Sequence, residues 1–159
     1  MPLRLLILPL LLLPALAQAH FQELIPTPPL VDSASGNALR LDLRFTHPQA
    51  GGPVMAMAAP SRFGVVVDGV EQSLLPLLKA DRCAGQPCYH ADYTVSAPGS
   101  YRFFVSPAPY WEGAEGKWII HHTQVVVDAF DAGSGWDTPL GLPLEIGRAS
   151  CRERVFRAV

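Results

Sequence analysis

From Leu39 to Phe45 the chain alternates without a break: Leu39, Leu41, Leu43 and Phe45 are apolar, while Arg40, Asp42 and Arg44 between them are charged. Successive side chains of a strand point to opposite faces, so this period of two predicts a half-buried β-strand. Further strands read the same way. Phe63 to Val67 is a short apolar run ending on Asp68-Gly69, a pair suited to a hairpin turn. Tyr89, Ala91, Tyr93 and Val95 share one face of a third strand, with His90, Asp92 and Thr94 on the other. Pro98-Gly99 turns the chain into Tyr101 to Val105, and Trp118 to Val127 is the longest strand expected. Beyond the first residues no stretch keeps helical spacing over three turns; Leu74 to Lys79, interrupted by Pro76, predicts a single one. Pro48, Pro53, Pro60, Pro107 and Pro109 fall between the strand runs, where a missing N–H costs no ladder bond. Short strands separated by Gly/Pro turns predict an all-β, antiparallel sandwich of immunoglobulin or transthyretin type. Asp131 to Pro143 reads as an irregular strap at its end.

The two chain ends do not share this pattern. Arg4 precedes the apolar run Leu5 to Leu13, and Ala17 and Ala19 stand at the small-residue positions of a secretory cleavage site. The run is shorter than the ~20 apolar residues of a membrane span and carries Pro9, so residues 1–19 read as a cleaved signal peptide. At the other end, Glu145 to Val155 can be back-translated without mismatch into a sequencing adapter. Residues 147–159 therefore read as a non-native tail, and residues 20–146 as one β-sandwich domain, the N-terminal part of a longer protein.

These boundaries change the charge and the cysteine count. The whole chain has 12 basic and 14 acidic residues. Without Arg4, Arg148, Arg152, Arg154, Arg157 and Glu153, it keeps 7 basic and 13 acidic, a net charge of −6. An acidic domain argues against nucleic acid or anionic lipid as partner and suits cations. With Cys151 set aside, Cys83 and Cys88 remain, an even pair in an oxidising compartment, expected to close a small loop as a disulfide. Phosphate-loop, nucleophile-elbow and His-Glu-x-x-His signatures are absent, which excludes nucleotide hydrolysis by those motifs.

Candidate chemistry starts at His20. Cleavage after Ala19 would give it a free α-amine beside its imidazole, a chelate whose nitrogens ordinarily titrate near 7.7–8.0 and ~6.5 and so yield readily to a competing metal. Cleavage after Ala17 would instead place the imidazole third, behind an amine and two amides, a square-planar nitrogen set of the kind Ni(II) and Cu(II) favour. His47 lies in a loop just beyond the first strand, followed by Met55 and Met57, which serve either as core filling or as soft thioether donors. His90 shares a strand face with Asp92. His121 and His122, as neighbours on a strand, should point to opposite faces, so at most one faces a given site. Tyr110, Trp111, Glu112 and Glu115 form an aromatic and acidic loop able to line a pocket.

Five stretches, "AHFQELIP", "FTHPQAGGPVMAM", "PAPYWE", "IIHHTQVVVDAF" and "GWDTPLGLPLEI", resemble in that order an exported bacterial family described as the periplasmic component of cobalt/nickel uptake systems. The resemblance runs from His20 to Ile146. It implies a soluble, non-enzymatic periplasmic domain that captures Ni2+ or Co2+ and passes it to membrane components of an uptake transporter, with neither nucleic acid nor nucleotide as partner. It also implies His20, His47 and His121 as metal donors, His122 facing away. In that family the Leu-Glu-Ile stretch leads into a second, sandwich-like domain and sometimes a C-terminal membrane helix, so the resemblance implies that this sequence is the first part of a longer protein. Two other readings stay open: copper handling by a histidine brace, as a Cu2+ carrier or an oxygenase, and a structural immunoglobulin-like module without metal.

Overall fold

The computed structural model describes residues 21–48, 51–113, 116–142, 144–146 and 156–158. The expected signal peptide with Ala17 and Ala19, His20, Glu115, Cys151 and most of the expected adapter-like tail lie outside them. Two four-stranded antiparallel sheets pack face to face. The first holds β1 (Phe21–Thr27), β2 (Ala38–Thr46), β6 (Gln86–Thr94) and β5 (Lys79–Cys83), in that order. The second holds β10 (Thr123–Ala129), β7 (Gly99–Ser106), β3 (Arg62–Val67) and β4 (Val70–Ser73). This is the immunoglobulin order, with the first, second, fifth and fourth strands of that fold on one sheet and the rest on the other. Beside the sandwich lie two short pairs, β8 (Tyr110–Glu112) with β9 (Lys117–Ile119), and β11 (Leu144–Ile146) with β12 (Phe156–Ala158).

The core follows the alternation. Leu39, Leu41 and Leu43 of β2 are buried, as are Ala91 of β6, Phe63 and Val65 of β3, and Tyr101, Phe103 and Val105 of β7. The outward residues of β2 instead form a charged ladder with the neighbouring strands: Arg40 reaches Asp42 at 2.9 Å and Asp81 at 3.1 Å. Tyr101 donates its hydroxyl to the Ala97 carbonyl at 2.9 Å and accepts the Ala97 N–H at 3.3 Å, the tyrosine corner of immunoglobulin-type sandwiches. Asp68-Gly69 and Ala84-Gly85 both adopt positive φ, which fits two-residue turns to the right-handed twist of their hairpins. Cys83 and Cys88 are disulfide-bonded across the β5–β6 hairpin, as their spacing predicts. The single turn expected after Leu74 is a 3-10 turn, Leu75–Leu77.

One expected strand is two. The run Trp118 to Val127 breaks at residues 120–122, so β9 pairs back on β8 and β10 starts afresh at Thr123. Nothing in the local sequence marks this break; it arises because Trp111 and Trp118 pair across their own small hairpin, while Thr123 takes its place beside Val105. The aromatic loop at Tyr110 is thereby a hairpin strand. The strap from Asp131 is irregular, and it covers the outer face of the second sheet. Leu142 and Leu140 pack on Val66 and Phe104, and the buried Arg102 guanidinium donates to the Thr138 carbonyl. Among the described residues no helix is long and apolar enough to cross a membrane.

Candidate functional site

Edge strand β1 brings the histidines to one end of the sandwich. Its first residue, Phe21, pairs with Thr46, the last of β2, so the chain enters the sheet where His47 leaves it. The same Phe21 stacks its ring on His121, with centroids 5.2 Å apart and planes at 22°. Tyr110 meets His121 edge-on at 5.7 Å and Phe45 at 4.8 Å. A single aromatic cluster therefore links the end of β2, the β8–β9 hairpin and the junction before β10. His47 is buried, and its Nε2 is enclosed, as is Nδ1 of His121. Glu112 is buried on the hairpin face it shares with Tyr110, while Trp111 and Trp118 turn outward and remain exposed.

β1 is also tied to β10. The Thr123 hydroxyl donates to the Gln22 carbonyl at 2.7 Å, and past the strand Val31 bridges to Ala129 of the second sheet. These links hold the two sheets together at the edge where Phe21 and His121 meet.

The other sequence candidates separate. His121 and His122 sit in the break between strands and not on one, and they have different partners: His121 stacks on Phe21, while His122 Nδ1 lies 2.9 Å from the Ser106 hydroxyl. Met57 is buried in the core, where its sulfur accepts the Gln22 side-chain amide at 3.2 Å, and Met55 joins the backbone of Phe45. His90 Nδ1 lies 3.0 Å from Asp81 of the neighbouring strand, while Asp92, its neighbour on the same face, binds Lys79 at 2.8 Å. That group belongs to the charged ladder. Gln22 was not legible as a buried residue, because a polar side chain on an inward strand position gives no periodic signal.

Among the described residues no group of three or more His, Cys, Asp or Glu side chains converges as a metal ligand set. A metal at the Phe21 end would need a donor from outside them.

The domain family described as "Domain of unknown function (DUF4198)" matches residues 17–148. The chain belongs to that family. The match spans the DUF4198 sandwich and its strap, including every residue of the Phe21 end. No curated protein and no solved structure matches the chain.

Proposed function

We propose that this DUF4198 domain captures Ni(II) or Co(II) in the periplasm and delivers it to the membrane components of an uptake transporter, without catalysing a reaction. The observation that carries the reading is the double role of Phe21, which pairs with Thr46 beside His47 and stacks on His121. Adjacent Cα atoms are about 3.8 Å apart across a trans peptide, so a mature chain starting at His20 would begin one residue before the ring that stacks on His121, on a strand whose register ends at the residue preceding His47. Its amine and imidazole would then form a chelate, with His47 and His121 as further nitrogen donors. Imidazole and amine suit nickel, cobalt and copper alike.

Copper is the second reading, because nitrogen sites ordinarily rank Cu(II) above Ni(II) and Co(II). The thioethers do not strengthen it, since Met57 is committed to Gln22 in the core. The test begins with mass spectrometry of the exported protein to fix its first residue. Calorimetric titration with Ni(II), Co(II) and Cu(II) follows, beside a variant carrying one extra N-terminal residue. The extra residue should weaken binding by about tenfold or more, 1.4 kcal/mol. Equal affinity in the two proteins would remove the N-terminal chelate. Cu(II) preference with reductant-dependent peroxide production would convert the carrier into an oxygenase.

A further inference from the structure

We propose that Gly52 is the positioning residue for His47, and that it fixes Nε2 as the nitrogen through which His47 meets a metal. The inference rests on the metal reading above and deepens it. After β2 the chain passes through His47-Pro48 and returns at Gly51-Gly52. Gly52 donates its N–H to the His47 carbonyl at 3.1 Å, and Met55 then donates to the Phe45 carbonyl at 2.8 Å. The loop is thus pinned at both ends.

The two glycines are there for different reasons. Gly51 has φ +58° and open space where a side chain would stand, so its requirement is conformational. Gly52 lies outside the left-handed region, so backbone conformation does not call for glycine. Proximity does. A Cβ at position 52 would stand 2.7 Å from the His47 Cβ, 3.1 Å from Nδ1 and 3.3 Å from Cγ. Carbon atoms do not approach that closely, so either the His47 side chain or the Gly52 backbone would have to shift. The space of the missing side chain is occupied by the Cβ and Nδ1 flank of the imidazole. Backbone therefore closes the Nδ1 flank and leaves Nε2, buried on the far side of the ring, as the nitrogen turned away from Gly52.

The experiment uses the full leader-cleaved protein. Ni(II) and Co(II) affinities are measured by calorimetry for the native protein, Gly52→Ala, His47→Ala, the double variant and Gly69→Ala. Gly69 is a control of equal chemistry: it has φ +77°, sits in the β3–β4 turn and has nothing near its missing side chain. Long-range nitrogen–proton NMR of the imidazoles identifies the ligating nitrogen. Gly52→Ala should lose about 10- to 100-fold in affinity, the usual effect of disturbing a group that orients a ligand. It should add no loss in the His47→Ala background, and Gly69→Ala should keep native affinity. Native affinity in folded Gly52→Ala, or a further loss on top of His47→Ala, overturns the inference while the metal reading stands. Should Gly52→Ala not fold, the native protein decides alone: metal-induced change at Nε2 of His47 supports the assignment, and change at Nδ1 overturns it. A native protein that binds neither ion overturns the metal reading and this inference together.

Discussion

Tyr101 shows how one side chain can serve two levels of the structure. Its ring lies in the core between the sheets and faces Tyr93 edge-on at 5.9 Å, while its hydroxyl holds the turn before its own strand through Ala97. Tyr101→Phe keeps the ring and removes only that bond. A single hydrogen bond contributes about 1 kcal/mol net, so the variant should lose about that much in urea unfolding with an unchanged denaturant slope. A loss near zero would make the corner incidental. Residues differ in how far the sequence discloses such roles. His47 and His121 stood out in the sequence as candidate donors because imidazoles are few in the chain. Gly52 and Gln22 were not: a glycine gives the same letter for a positive φ and for a close approach, and a buried amide looks like any surface glutamine. Their meaning is a distance to another side chain, to His47 within the same loop in one case and to the sulfur of the sequence-remote Met57 in the other.

Among the elements, the β5–β6 hairpin carries a covalent brace. The chain turns at Ala84-Gly85, and the Cys83–Cys88 bond crosses just inside the turn, with Cys88 packed into the protein. Loop-closure entropy makes so short a loop worth about 2 kcal/mol. Replacing both cysteines by serine should therefore lower the unfolding free energy by about that amount, read from the shift of the denaturation midpoint. A shift more than twice as large would mean that the bond holds native packing as well as restraining the unfolded chain. β2 was legible because its inward residues are apolar and those between them charged, and β7 because an apolar run follows the Pro98-Gly99 turn. β1 was not, because Gln22 occupies an inward position and Pro26 removes an N–H that an edge strand can spare. The break between β9 and β10 was equally hidden. Ile120, His121 and His122 contain neither glycine nor proline, and only the pairing of two aromatic side chains across a separate hairpin interrupts the strand.

At the scale of the whole molecule, charge lies mostly on exposed faces and turns, and it sets how the fold responds to acid. Three exposed carboxyls are held below their ordinary range for different reasons. Asp32 caps its turn by accepting the backbone N–H groups of Ser35 and Ala34. Asp81 is lowered first by the Arg82 N–H, with His90 and Arg40 adding to it. Asp92 is lowered chiefly by its bond to Lys79. A carboxyl whose pKa is depressed by folding binds protons more weakly in the folded chain than in the unfolded one. Its stabilisation is complete above the unfolded value, about 3.9 for aspartate, and is lost as pH falls through the lower folded value. Unfolding free energy should thus be flat near neutrality for these groups and decline below pH ~4, with carbon NMR midpoints for all three under the ordinary aspartate value. Salt separates the causes. At 1 M the screening length falls to about 3 Å, which weakens the exposed Lys79–Asp92 pair but leaves short bonds from neutral amides largely intact. Asp92 should therefore move back toward the ordinary value more than Asp32. An equal movement of both would mean that the net negative charge of the domain, and not these local partners, governs their titration.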